Sequence, residues 1–225
     1  MASPLGAPAV TLYLVRHGAA AGAEGRCIGR TDLPLAPDAP AALARLAAAW
    51  PPPHPPRLVS SDLTRARDSA AILAAAWHVP ATTAPRLREM DFGTWDGRPW
   101  SDLERDDPAA LAAWMAAWHD APTPRGESFG DLIARTATWL HDTVASARLA
   151  AIPEIAAVAH AGSIRALLVH ALQLPRSLAF RLRVDHARVT ALRLTGDDVA
   201  DTCTSAELLF SNADRPPEPV TPSAP

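Results

Sequence analysis

Short apolar runs alternate with longer Ala-rich segments along most of this chain, and that order constrains the fold more than any other feature. Residues 10–15 (Val-Thr-Leu-Tyr-Leu-Val) have the length and the β-branched and aromatic content of a strand. Residues 39–50 read as a helix, 57–60 as a short strand, and 63–77 as a helix with Ser61 or Asp62 available as its N-cap. Residues 81–87 read as extended, 109–118 and 128–147 as helices. A buried strand at 155–159 follows, then a turn at Gly162, a helix over 163–172 and a strand over 188–194. Strand-helix-strand order predicts an α/β protein, a three-layer α/β/α sandwich around a mostly parallel sheet. Reactive groups in such sheets gather at the carboxyl ends of the strands.

The 225 residues suffice for one α/β domain, and a hydrophobic content of 48% can fill its core. Residues 1–9 are expected to be a flexible leader, 10–213 the folded domain and 214–225, with five prolines, a disordered tail. The formal charge of −3 gives no reason to expect nucleic acid or a membrane surface as partner, and apolar runs are too short to span a bilayer. All 21 basic residues are Arg, which excludes mechanisms that need a lysine. The two cysteines, Cys27 and Cys203, form no CxxC motif and suit a reducing cytoplasm. Cys27 lacks a Cys-x5-Arg phosphate loop and reads as a buried structural thiol. No ligand cluster for a metal stands out, and no cofactor is expected.

The first strand runs into Arg16-His17-Gly18, where Gly18 would permit a sharp turn. An imidazole at a strand end can act as a nucleophile, and a neighbouring guanidinium can grip phosphate oxygens. Arg65 falls about one turn into the helix after residues 57–60, Glu89 follows the extended segment, His160 follows residues 155–159, and Arg165 opens the next helix. Taken singly, each residue also has a plain structural reading, and with 21 Arg and 8 His some would land at strand ends by chance.

The local words are more specific. They are Leu-Val-Arg-His-Gly (14–18), Gly-Arg-Thr-Asp-Leu-Pro-Leu (29–35), Ser-Ser-Asp-Leu-Thr-Arg-Ala-Arg (60–67), Leu-Arg-Glu-Met-Asp-Phe-Gly-Thr-Trp-Asp-Gly (87–97), Arg-Gly-Glu-Ser-Phe (125–129) and Val-Ala-His-Ala-Gly-Ser-Ile-Arg (158–165). In this order they resemble the histidine phosphatase superfamily, also called phosphoglycerate-mutase-like, over residues 10–194. The resemblance implies that His17 becomes phosphohistidine, that Arg16 and Arg65 hold the phosphate, that His160 is the second pocket histidine and that Glu89 is the proton donor. It implies a metal-independent phosphomonoester hydrolase acting on a small phosphate ester, with a lid at about residues 92–127. Asp91 competes with Glu89 for the acid role, and Arg67 with Arg65 for the phosphate.

Within the family the stretch 25–35 (Gly-Arg-Cys-Ile-Gly-Arg-Thr-Asp-Leu-Pro-Leu) and residues 92–100 are most similar to α-ribazole phosphatases of cobalamin synthesis. Ile28 replaces a Tyr, and Trp-Asp-Gly replaces Trp-Glu-Gly. That likeness implies hydrolysis of α-ribazole 5′-phosphate. Gly29, Arg30 and Ala161 are candidate substrate contacts, with an Arg30–Asp32 pair as the alternative for Arg30. A broad sugar-phosphate or nucleotide monophosphatase is the competing enzyme. A mutase fits less well, because Glu89 and His160 are only 71 positions apart and Ala20 and Ala23 replace the Thr and Asn of many mutases. A non-catalytic phospholigand-binding module is the alternative of another class. A homodimer is left open. Trp95, Trp100, Trp114 and Trp118 read as packing around the lid. His78, His119, His141, His170 and His186 have no motif support.

Overall fold

The computed structural model describes residues 8–195 and 205–217. Cys203, most of the expected leader and most of the expected tail lie outside the described residues. The strands are β1 (Val10–Arg16), β2 (Arg57–Ser60), β3 (Ala81–Thr83), β4 (Glu154–Ala159), β5 (Val189–Thr195) and β6 (Ser205–Ala213). The helices are α1 (Ala39–Ala48), α2 (Thr64–Trp77), α3 (Trp100–Asp106), α4 (Pro108–Ala117), α5 (Phe129–Leu149) and α6 (Ala161–Ala171).

The sheet order is β3-β2-β4-β1-β5-β6. Strands β3, β2, β4 and β1 run parallel; β5 and β6 are antiparallel additions on one side. The alternation of side chains across the sheet explains the three layers. Leu12, Leu14, Ile155 and Ala157 face one side and pack under α5 and α6 with Leu140, Val144, Ile164 and Leu167. Val15, Ala156 and Val158 face the other side and meet Leu46 of α1 and Leu73 and Trp77 of α2. Both faces of β1 and β4 are therefore covered, as their nearly continuous apolar sequences require. Each fully buried Leu in these layers contributes about 2 kcal/mol, so truncating Leu12 or Leu14 to Ala costs about 2–5 kcal/mol.

Several boundaries differ from the sequence reading for local reasons. Helix α2 is capped neither by Ser61 nor by Asp62. Its N-cap position is Leu63, and the Thr64 N–H donates instead to Asp32 Oδ1 at 2.7 Å. Asp62 is occupied by a bidentate pair with Arg88. Extended structure stops at Thr83, because Pro85 opens a 3-10 turn over Pro85–Leu87. Gly162 is not a turn but lies in the first turn of α6, which starts at Ala161. Gly18 is not a left-handed position. It is glycine for space: a Cβ there would lie 2.9 Å from Ala39 Cβ and 3.1 Å from Leu43 Cδ1, so the end of β1 packs directly on α1. Ser128 caps α5 through a reciprocal pair with Asp131, a motif worth about 1 kcal/mol.

Candidate active site

Strands β1 and β4 lie side by side in parallel, with Arg16 opposite Ala159. The next residue on each strand is a histidine. Parallel pairing thus brings His17 and His160 together at the carboxyl edge of the sheet, with ring centroids 4.8 Å apart. The His17 N–H donates to the Ala159 carbonyl at 3.0 Å, continuing the ladder one residue past the strands.

The His17 ring is buried, and Nδ1 lies 2.6 Å from the Gly18 carbonyl oxygen. A carbonyl only accepts, so Nδ1 carries the proton and Nε2 presents a lone pair. Burial, then the nearby Arg65 charge, push the His17 pKa well below 6.5. The imidazole is therefore neutral at neutral pH. His160 is fully enclosed behind it, and burial followed by His17 and Arg65 likewise holds its pKa well below 6.5. Neither His160 ring nitrogen has a hydrogen-bond partner within the protein. Its backbone N–H is held by the Ser163 hydroxyl at 3.1 Å.

Arg16 and Arg65 approach from two elements. Arg16 Nη1 donates to the Val184 carbonyl at 2.7 Å, which leaves the rest of the guanidinium for the cavity, with Nε unpartnered. Arg65 is almost wholly buried in the first turn of α2. Its Nη1 and Nη2 donate to the carbonyls of Thr31 and Gly29 at 2.8 and 2.6 Å. Arg67, its competitor in the sequence, bonds Thr64 at the surface instead. Burial lowers the pKa of Arg16, Arg65 and Arg165, and the Glu89 charge opposes the shift in all three. Arginine stays charged under such shifts. Glu89 is the carboxylate among them. Its Oε2 accepts the Gly162 N–H at 2.9 Å and its Oε1 the Met90 N–H at 2.8 Å. The α6 N-terminus favours negative charge at that point.

Arg16, His17, Arg65, Glu89, Ala161 and Arg165 line one cavity of about 710 Å³. Arg30 and Gly29 are not in its wall. Arg30 does not pair with Asp32; it bridges Asp91 and Glu127, each at 2.9 Å. Glu127 is in turn clamped by Arg135, whose guanidinium also reaches the carbonyls of Arg88 and Glu89. This network fastens the segment after β3 to α5. It also holds Asp91 out of the cavity wall, in which Glu89 stands. Gly29 lies beneath: its carbonyl orients Arg65 and its N–H is held by Asp96. Cys27 is buried against Trp95 and Leu103 with its pKa pushed up to about 12, the setting of an inert thiol.

Two parts of the cavity were not legible in the sequence. Phe92, Trp100, Trp114, Trp118, Phe129 and Phe180 form its wall. Of the four tryptophans read as lid packing, only Trp95 is wholly buried. The i,i+4 spacing of Trp114 and Trp118 on a helix was the available signal. His186 also lines the cavity, 5.3 Å from the His17 ring. The enclosing walls, then Arg16, push its pKa down to about 4, although the ring is open to water in the cavity. Because β5 runs antiparallel to β1, the residues just before β5 return to the carboxyl end of β1. A strand of unknown direction could not reveal this.

Residues 12–202 match the model of the histidine phosphatase superfamily (branch 1). The chain belongs to the histidine phosphatase superfamily. It is a phosphatase, of a family that acts on small phosphate esters. An adenosylcobalamin/α-ribazole phosphatase of Salmonella typhimurium is 29% identical over 213 residues, 92% of this chain and 99% of the relative. A glucosyl-3-phosphoglycerate phosphatase of Mycobacterium tuberculosis is 36% identical over 134 residues, 54% of this chain and 56% of the relative. The phosphoglycerate-mutase-like fold is shared with the crystal structure of an α-ribazole-5′-P phosphatase from Escherichia coli, with a TM-score of 0.80 at 23% identity over 92% of this chain and 97% of that one. It is also shared with a mycobacterial glucosyl-3-phosphoglycerate phosphatase, with a TM-score of 0.79 at 28% identity over 91% and 99%. Among the described residues of this histidine phosphatase, no helix is long and apolar enough to cross a membrane.

Proposed function

We propose that this histidine phosphatase hydrolyses α-ribazole 5′-phosphate through a phosphohistidine on His17, without a metal ion. One observation carries the proposal: a neutral imidazole with its Nε2 lone pair free, flanked by Arg16 and Arg65, sits at the foot of a cavity walled by aromatic rings. The polar foot suits a phosphoryl group and the aromatic wall suits a planar heteroaromatic base. The α-ribazole phosphatases among the relatives support the choice of ester.

In the first step His17 Nε2 forms a bond to phosphorus while the bond from phosphorus to the ester oxygen breaks, its electron pair leaving with that oxygen. The leaving oxygen takes its proton from Glu89. Arg16 and Arg65 neutralise the equatorial oxygens as charge spreads over them. His160 lies behind His17 and outside the cavity wall; one of its ring nitrogens carries a proton that has no acceptor in the protein, and we assign that proton to a phosphoryl oxygen of the bound ester. In the second step Glu89, now a carboxylate, takes a proton from water as the water oxygen bonds to phosphorus and the bond from phosphorus to Nε2 breaks. Phosphate leaves, and His17 and Glu89 return to their starting states.

The second reading, a broader sugar-phosphate phosphatase, draws on the glucosyl-3-phosphoglycerate phosphatase similarity. Phosphate release measured with EDTA present, from α-ribazole 5′-phosphate beside glucosyl-3-phosphoglycerate, sugar phosphates and mononucleotides, separates the two. A kcat/KM for the ribazole ester at least about tenfold above the others is expected; equal values overturn the substrate. His17→Ala should lose the activity together with the acid-labile phosphoenzyme, and turnover at the wild-type rate would refute the nucleophile.

A further inference from the structure

Behind the catalytic cavity lies a second one of about 470 Å³, and the imidazole of His186 belongs to the walls of both. Arg45 of α1, Arg188 just before β5 and Arg215 after β6 line the second cavity, against one carboxylate, Asp214. The Arg188–Asp214 approach is loose, at 3.6 Å. Among the described residues the side chains of Arg45 and Arg215 have no ion-pair partner. Three guanidinia facing one acid leave a net charge of about +2, which is the complement of a dianion.

This basic cavity is joined by backbone to the catalytic strand. The Arg16 N–H donates to the Arg188 carbonyl at 3.1 Å, and the Ala187 N–H donates to the Arg16 carbonyl at 3.0 Å. The chain from His186 to Arg188 is thus pinned to the residue that flanks the nucleophile. An anion drawn onto Arg188 pulls on the segment that also carries His186.

We infer that the second cavity binds a phosphoryl dianion other than the one being hydrolysed. Inorganic phosphate released by the reaction and a second phosphoryl group on the same ester present the same chemistry to these arginines. The inference goes beyond the proposed substrate and does not depend on it.

Titration calorimetry with inorganic phosphate tests it on the full-length protein and on Arg45→Ala/Arg215→Ala, two exposed positions outside the catalytic cavity. Wild type should bind phosphate in two events, and the variant should weaken one of them by about tenfold or more. A wild-type protein whose single event is abolished in the variant would keep the second cavity and overturn the catalytic assignment instead. The same events in both proteins would overturn the inference. Kinetics with a nucleoside 5′-monophosphate and the matching 3′,5′-bisphosphate distinguish the sources. A rise in KM confined to the bisphosphate in the variant assigns the cavity to substrate. A noncompetitive component of phosphate inhibition that the variant lacks assigns it to free phosphate. Purely competitive inhibition with unchanged KM values in both proteins would refute both.

Discussion

Glu89 sits directly over the backbone of Gly162, its Oε2 accepting the Gly162 N–H at 2.9 Å, and any Cβ at position 162 would overlap Glu89 Oε1. The glycine is there to let a carboxylate settle on the first turn of α6. Gly162→Ala should therefore displace Glu89 with little change in the fold, since α6 gains a better helix former. A displacement of about 1 Å costs about 10²-fold in rate. We expect kcat to fall by that order while the melting temperature stays within a few degrees, as steady-state kinetics and thermal denaturation would show. An unchanged kcat would show that Glu89 takes no part.

Arg65→Lys should behave as a severe change. The guanidinium uses two nitrogens on the Thr31 and Gly29 carbonyls and still faces the cavity. A single ammonium cannot reproduce that fork. The expected loss is about 10²-fold in kcat/KM, together with a lower unfolding midpoint because a buried carbonyl loses its donor.

Acid should weaken the fold through the two catalytic-edge histidines. His17 and His160 have folded pKa values well below 6.5, so between those values and 6.5 the unfolded chain binds protons that the folded chain refuses. Stability is unaffected by them above that window and falls as pH drops through it. From pH 6.5 to 5.5 the two groups together should remove about 2 kcal/mol, and His186, with its pKa at about 4, about 1 kcal/mol more. Urea unfolding at the two pH values measures it. A difference below about 0.5 kcal/mol would mean that the imidazoles charge in the folded protein.

The aromatic wall should govern the leaving group rather than the chemistry. Trp118 stands 4.2 Å from the Phe180 ring and 5.4 Å from Phe129, measured between centroids. Trp118→Ala should raise KM for an ester with an aromatic leaving group by about tenfold and leave KM for a small sugar phosphate within about twofold. Equal effects on both esters would remove the wall from specificity.

The placement of the candidate site was legible because its residues are local to strand ends. Arg16, His17 and His160 follow directly from two apolar strands, and parallel order brings them together. Arg65 followed from a helix start that was placed within one residue. The cavity beyond was not legible, for a physical reason. His186 reaches the site only because β5 is antiparallel, and strand direction is set by pairing rather than by local sequence. Arg30 was expected to touch substrate or to pair with Asp32, and it does neither: it stands outside the cavity wall. Its partners, Asp91 and Glu127, are distant in sequence and meet it only in the folded structure. The edge strand β6 and helix α3 went unread, as short or half-exposed elements carry little periodic signal.

The register of β1 on β4 also makes catalytic turnover a gauge of assembly. His17 and His160 lie 143 positions apart, and only the pairing of Arg16 with Ala159 sets their rings side by side. A slip of one residue would turn every side chain of β1 to the other face of the sheet and part the two rings. Returning activity during refolding therefore dates the moment when the two ends of the chain first align in the middle of the sheet, and a partly folded molecule with every helix in place would still be catalytically silent.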